Sequence, residues 1–364
     1  MNAVRPNYGA ASLTGVVPAL LGRSDASWLP SCVQGASSVV LFVLDGFGWS
    51  TFERHRAQLP AMSGMEGGAI TTVVPSTTSA ALPSITTGVP PAEHGLLGYR
   101  LRVDGDVLNV LRWRLQDGRP GPTPAALAPI TPFFGMPVPI VTRQEFCDSG
   151  FSEAFMRGGR FWGWRTTSGL IGDVRRLVQG GERFVFAYYD GIDYTAHRYG
   201  LEDFYFSAEL ITADRLIGDL LNALPSEAAV VVTSDHGQVH LDGQLPLDPV
   251  AQLVTTYAGE ARFRSLFAVA GASADLVAAA AEHFGPHAWV FSREQLIDEG
   301  WLGPKAPEKA VASRLGDVIL AARDSGGFAD PTYRGEATLR SGHGSLTADE
   351  MLVPLLAGRG TDES

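Results

Sequence analysis

Thr77 and Thr78 lie in a run of hydroxyl residues, Ser76-Thr77-Thr78-Ser79, directly after Ile70-Thr71-Thr72-Val73-Val74-Pro75. The β-branched stretch reads as a short buried strand that Pro75 must end, because proline cannot donate to a sheet ladder. The small apolar residues that follow, Ala80-Ala81-Leu82, can begin a helix. A hydroxyl at a strand-to-helix turn sits where unpaired backbone N–H groups and the helix dipole attract an anion. That suits a nucleophile for a phosphate or sulfate ester, although the same residues could simply cap the helix. The rest of the chain supplies groups that such a nucleophile needs. Asp193 and His197 are four apart, so one helical turn presents both to one ion. Asp235 and His236 are adjacent after an apolar run, and His343 stands between two glycines that permit close backbone approach. With Asp45 and the hydroxyl turn they form two sets of oxygen and nitrogen donors, the chemistry that hard and borderline divalent metals take. Each pair also has a plain reading, Asp193/His197 as a surface pair and His343 as a solvated loop histidine.

The elements that must position these groups are legible. Ser38-Val39-Val40-Leu41-Phe42-Val43-Leu44 is apolar throughout after its first residue and ends in Asp45-Gly46, as expected of a parallel strand buried on both faces. Phe184–Tyr189 runs into Asp190 in the same way, and Ala228–Thr233 runs into Ser234-Asp235-His236-Gly237. Carboxylates at the ends of three strands would meet at one edge of a sheet, where open α/β sheets place their ligands, and together would need cations. A long helix is expected over 202–223, a hairpin around Asp104-Gly105 within 99–110, and a final apolar run over 351–356. Residues 36–95, 181–245 and 336–360 then make a metal-binding α/β core. Residues 96–180 are expected as an inserted cap, and 246–335 as a second insertion or an extension of the sheet. Residues 1–35, rich in Pro, Gly and Ser, are expected to wrap the surface. The aromatic stretch from Phe151 to Trp164, with arginines interleaved, reads as local packing, or alternatively as a wall facing a substrate.

Composition bounds the function classes. At 364 residues, with 45% apolar and 18% charged residues, the chain reads as an ordinary globular protein larger than one average domain. A net charge of −11 argues against a nucleic-acid polymer or an anionic membrane as partner. Two cysteines, Cys32 and Cys147, exclude a disulfide scaffold and point to a reducing compartment, and no apolar run reaches 18 residues; a cytoplasmic protein is expected. The sequence sets no oligomeric state.

In these motifs the chain resembles the alkaline phosphatase superfamily, and within it the type I phosphodiesterase/nucleotide pyrophosphatase family. The resemblance rests on a strand ending in Asp45, on Pro75-Ser76-Thr77-Thr78, and on Ser84-Ile85-Thr86-Thr87-Gly88 through Pro91, His94 and Gly95. It continues in Asp193-x-x-x-His197, Asp235-His236-Gly237 and Gly342-His343-Gly344, in the family's order. It implies a three-layer α/β/α, alkaline-phosphatase-like fold with a mostly parallel central sheet and inserted cap segments. Its gapless register makes Thr78 the nucleophile and leaves Thr77 in the place of a lysine. It implies one zinc held by Asp45, Thr78, Asp235 and His236, a second held by Asp193, His197 and His343, and a phosphoryl-threonine intermediate cleaved by metal-bound hydroxide. Three carboxylates against two dications leave a charge of roughly +1, which suits a diester monoanion better than a monoester dianion.

Two features depart from the family. The residues after the nucleophile are Ser79-Ala80-Ala81-Leu82 rather than Phe-Pro-Asn-His, and the asparagine that helps bind a phosphoryl oxygen falls at Tyr99. Tyr99, Arg100 or Asn109 is expected to supply the missing donor. The implied activity is hydrolysis of a phosphodiester or pyrophosphate bond in a small-molecule, nucleotide-like substrate. A phosphonate hydrolase or phosphomonoesterase on the same scaffold is the alternative, and a non-catalytic metal-binding protein a more remote one. Neither cysteine lies in a sulfatase nucleophile motif.

Overall fold

The computed structural model describes residues 2–9 and 11–362. Its centre is a seven-stranded sheet in the order Glu66–Thr71, Leu352–Arg359, Ala228–Thr233, Ser38–Leu44, Phe184–Tyr189, Pro139–Arg143, Arg160–Trp164. Only Leu352–Arg359 runs against the others, so six strands share one direction. Ser38–Leu44 pairs in parallel with Phe184–Tyr189 on one side and Ala228–Thr233 on the other, and all seven of its residues are buried. Its side chains alternate between two cores. Val39, Leu41 and Val43 face the layer of helices Leu13–Leu20, Thr78–Thr87 and Gly150–Met156, while Val40, Phe42 and Leu44 face that of Thr167–Gln179 and Phe204–Ala223. A strand apolar at successive positions is what a sheet covered on both faces requires. The parallel direction brings Asp45, Asp190 and the Ser234–His236 turn to one edge.

Among the described residues four smaller sheets stand apart from the central one, two of them two-stranded. Arg100–Val103 and Asp106–Asn109 form the expected hairpin, joined by Arg114–Leu115. Val254–Glu260, Phe263–Ala268, Val318–Ala322 and Ala288–Ser292 form an antiparallel four-stranded sheet with its own core, backed by helix Ser273–Phe284. Among the described residues no helix is long and apolar enough to cross a membrane.

Three expectations are corrected. Residues 96–180 are not one inserted cap: Pro139–Arg143 and Arg160–Trp164 complete the central sheet, and their glycine and proline punctuation hid two short strands at its edge. The N-terminal segment does not merely wrap the surface, since Leu13, Val16 and Val17 are fully buried in a helix packed on Thr78–Thr87. The spacing of these three is helical, but Pro18 inside the helix masked it; Met1 and Ala10 of this segment lie outside the described residues. The strand before the hydroxyl turn ends at Thr71, four residues ahead of Pro75, because Thr72 turns to the Met351 carbonyl and to the backbone oxygen of Asp235.

Candidate active site

Asp45 follows the central strand, and its carboxylate is divided between two tasks. One oxygen accepts the Tyr188 hydroxyl, and the other, Oδ1, has no protein partner although it is buried. Asp235 repeats the arrangement: Oδ1 accepts the backbone N–H groups of Gly46 (3.1 Å) and His236 (3.0 Å), while buried Oδ2 is unpartnered. Both free oxygens lie near His236 Nε2, at 3.4 Å (Asp45) and 3.5 Å (Asp235). Thr78 Oγ1 is 3.0 Å from the same nitrogen, at the start of helix Thr78–Thr87. Gly46 has φ +73°, and a Cβ there would strike Gln238 Nε2 and Asp193, so the turn after the central strand admits only glycine.

A second set adjoins the first. Asp193 Oδ1 is 3.4 Å from His197 Nε2, one turn along helix Gly191–Tyr199, and 3.9 Å from His343 Nε2. The His236 and His343 rings stack at 3.7 Å, which places the two sets side by side. Ligand atoms of Asp193, His197 and His343 lie within 4.8 Å of one another, as do those of Asp45, Asp193 and His236. Asp193 thus stands between the sets.

Two of the imidazoles turn Nδ1 to an acceptor. His197 faces the Ser341 carbonyl and His236 the Gly237 carbonyl, both at 3.0 Å, while His343 Nδ1 has no hydrogen-bond partner and lies 3.5 Å from Glu260 Oε2. With the proton on Nδ1, every Nε2 keeps a lone pair for the cluster, which is how a metal-binding histidine is usually held. Gln238 donates to Asp193 Oδ1 (2.8 Å) and is itself held by Ser341. Burial, then the charges of Asp235 and Asp193, pushes the Asp45 carboxyl well above its ordinary range; burial also raises Asp193 and drives His343 well below. Buried carboxylates and imidazoles with unused acceptor atoms fit divalent cations by the chemistry of the donor set.

The chain's motifs and geometry agree with the comparison of sequences: the profile of the type I phosphodiesterase/nucleotide pyrophosphatase family matches residues 39–345. The chain belongs to that family. It is a hydrolase of the phosphodiesterase/nucleotide pyrophosphatase kind, with two groups of residues that could hold a metal ion. Searching curated proteins gave no match. Among solved structures, the chain is similar to murine ectonucleotide pyrophosphatase/phosphodiesterase 5, with a TM-score of 0.68 at 15% identity over 88% of this chain and 87% of that one. An inactive threonine-to-alanine form of the murine protein in complex with AMP gives 0.67 at 15% identity, with 88% and 87% covered. Phosphonoacetate hydrolase from Sinorhizobium meliloti 1021 in complex with phosphonoformate gives 0.63 at 18% identity, with 91% and 92% covered. These likenesses establish the alkaline-phosphatase-like fold.

In this family member the phosphodiesterase motifs converge on one place. All seven residues expected as ligands or nucleophile, Asp45, Thr78, Asp193, His197, Asp235, His236 and His343, gather there. Of the three candidates for the missing donor only Tyr99 does. Tyr99 lines the cavity beside Thr78, but Arg100 is turned away, buried in an ion pair with Asp330 and hydrogen-bonded to Gln116. Asn109 donates to the Tyr99 hydroxyl at 2.8 Å and so orients that ring. Arg100 and Asn109 are corrected as direct contacts: on adjoining hairpin strands, only residue 99 reaches the cavity.

Sequence reasoning missed Glu260, Gln238 and Tyr188. Gln238 and Tyr188 are next to motif residues and could have been inferred from that. Glu260 gave no local signal, because it ends a strand of the inserted sheet and meets His343 only in three dimensions. Burial raises the pKa of its carboxyl well above the ordinary range, with the neighbouring Thr77 hydroxyl opposing the shift. Gly344, at φ +118°, leaves the space that Glu260 fills: a Cβ there would lie 2.9 Å from its carboxyl carbon. The nucleophile turn is stitched to the same loop, Ser76 bonding the Gly344 and Ser345 carbonyls at 3.2 and 2.6 Å.

Two chambers open on either side of Thr78, Asp193 and His197. One, of about 200 Å³, is walled by Tyr99, Glu260, Glu336 and Leu339. The other, of about 260 Å³, is walled by Leu82, Phe146, Phe151, Phe155 and Met156. Leu111 stands at the mouth of both.

Proposed function

We propose that the chain hydrolyses a small-molecule phosphodiester or pyrophosphate bond with Thr78 as nucleophile, assisted by two divalent ions. The observation that carries this reading is the Thr78 hydroxyl, 3.0 Å from His236 Nε2, beside carboxylate oxygens of Asp45 and Asp235 that no protein group satisfies. Asp45, Thr78, Asp235 and His236 would hold one ion and Asp193, His197 and His343 the other. The mixture of imidazole and carboxylate favours zinc. Bound ions supply a lowered hydroxyl pKa and positive charge against the oxygens that become negative during displacement.

The chain's own groups do the rest. Nδ1–H groups of His197 and His236, donated to backbone carbonyls, fix the tautomers. The helix that begins at Thr78 directs its free N–H groups toward an incoming phosphoryl oxygen. Thr78 Oγ forms a bond to phosphorus as the bond to the ester oxygen breaks; water then displaces the threonine, returning the hydroxyl and releasing the phosphoryl product. Tyr99, oriented by Asn109, is the hydroxyl placed to serve where the family has asparagine. The AMP and phosphonoformate bound by the similar structures support a small phosphoryl ligand. Cys32 and Cys147 are both unpaired, which supports a reducing, cytoplasmic setting.

The test is turnover of bis-p-nitrophenyl phosphate by purified protein, with elemental analysis and an acid quench. Close to two equivalents of metal, mainly zinc, and a phosphorylated peptide carrying Thr78 are expected. Chelator-insensitive activity, or no modified Thr78 peptide under conditions of steady turnover, overturns the mechanism.

A further inference from the structure

The two chambers differ from what a polyanionic substrate needs, and the difference carries an inference about substrate class that rests on the reading above. No lysine or arginine is among the described residues lining either chamber. Arginines of the surrounding structure are committed elsewhere: Arg100 to Asp330, Arg143 to Asp190 (2.5 Å), Arg262 to Glu350 (2.7 Å) and Arg264 to Glu336 (2.5 Å). The smaller chamber is acidic, since Glu260 and Glu336 each keep a buried carboxylate oxygen without a hydrogen-bond partner. A terminal phosphate or a carboxylate placed there would face carboxyl oxygens and find no basic side chain, in a poorly solvated space.

The larger chamber is apolar. Phe151 and Phe155 are one turn apart on helix Gly150–Met156, with ring centroids 4.4 Å from each other, and Leu82 approaches from the nucleophile helix. Phe146 and Tyr188 meet edge to face on the other side. An apolar cavity of about 150 Å³ accepts a benzene molecule, so a ring fits a chamber of about 260 Å³.

We infer that the substrate is a singly charged phosphodiester or phosphonate ester with an uncharged, apolar, ring-sized substituent seated among Leu82, Phe151, Phe155 and Met156, and with no second anionic group. Polyphosphate nucleotides and phosphonocarboxylates are thereby poor substrates.

Three phosphonates with one substituent each test this on the metal-loaded full-length protein: methylphosphonate, phenylphosphonate and phosphonoacetate. Their affinity is read both as inhibition of bis-p-nitrophenyl phosphate hydrolysis and by calorimetry without substrate. Phenylphosphonate should bind at least about tenfold more tightly than methylphosphonate, from burial of the ring. Phosphonoacetate should bind less tightly than methylphosphonate. Phe155→Ala should bring the phenyl-to-methyl ratio toward one. Leu111→Lys, at an exposed mouth position where folding is not at stake, should strengthen phosphonoacetate relative to methylphosphonate. A flat series, a preference for phosphonoacetate, or an unchanged ratio in Phe155→Ala overturns the inference, as does no effect of Leu111→Lys. Ligands that bind in the expected order while bis-p-nitrophenyl phosphate is not turned over overturn the proposed function alone; turnover with a flat series overturns only the substrate class.

Discussion

Glu260→Ala should weaken the hold of the His343 ligand set on its ion while leaving the metal-free protein intact. His197 and His236 bond backbone carbonyls through Nδ1, whereas His343 Nδ1 makes no hydrogen bond and has only the Glu260 carboxyl beside it, at 3.5 Å. Thr77 neighbours the same carboxyl, so its loss alters the surroundings of both the imidazole and the nucleophile turn. Loss of a partner of this kind typically costs about 10- to 100-fold in metal affinity, or about 1.4–2.7 kcal/mol. With about 2.1 cal/mol/K of unfolding entropy per residue, 364 residues give roughly 0.8 kcal/mol/K. The metal-loaded variant should therefore melt about 2–4 °C below wild type at equal free metal. The stripped variant should melt no lower than stripped wild type, since a buried carboxyl with a strongly raised pKa has been removed. Glu260→Gln, which keeps an acceptor oxygen, should fall between. Competition against a chromogenic chelator and scanning calorimetry supply the readings. Wild-type affinity for both ions in Glu260→Ala would refute the reasoning, and so would an equal drop in melting temperature with and without metal.

Chelation of wild-type protein at pH 8 should lower its melting temperature by roughly 10 °C in calorimetry, because two ions at about a thousand times their dissociation constants each stabilise by about 4 kcal/mol. Thr78→Ala should reduce turnover by about six orders of magnitude, the scale for losing a covalent nucleophile, with metal content retained. Thr77→Ala should cost about tenfold through Glu260, and steady-state kinetics with the two effects reversed would shift the register by one residue. Buried His94, hydrogen-bonded to Ser84 at 2.8 Å, has its pKa lowered by burial to about 3. The unfolded chain takes that proton first, near pH 6.5, so this stability is present above 6.5 and is lost as pH falls toward 3, at about 1.4 kcal/mol per unit. In urea titrations of stripped protein between pH 7 and 4.5, His94→Gln should lack that part of the slope.

What could be read from sequence was whatever local chemistry determines. Ser38–Leu44 announced a doubly covered strand, and spacing alone put Asp193 and His197 on one helical face. The ends of three apolar runs brought Asp45 and Asp235 to one edge, although Asp190, the third, is neutralised by Arg143 instead of joining the cluster. What escaped was set by contacts between distant segments. Arg100 looked available because Asp330, its partner, is 230 residues away. Glu260 looked like an ordinary strand end because its meaning lies in His343 and Thr77. Pro139–Arg143 and Arg160–Trp164 are too short, and too broken by glycine and proline nearby, to show as sheet strands without the neighbour Phe184–Tyr189 that pairs with the first of them.

Leu352–Arg359 lies between Ala228–Thr233 and Glu66–Thr71 in the sheet, the latter strand having no other partner there. On the ribosome it is therefore made after both strands that it must join. Until residues 352–359 emerge, Ala228–Thr233 presents an open edge, apolar up to Thr233, and Glu66–Thr71 has nothing in the sheet to pair with among the described residues. Such an edge is a template for pairing with another nascent chain. His343 emerges only nine residues before this strand begins, so the site and the sheet are completed in the same short interval of synthesis.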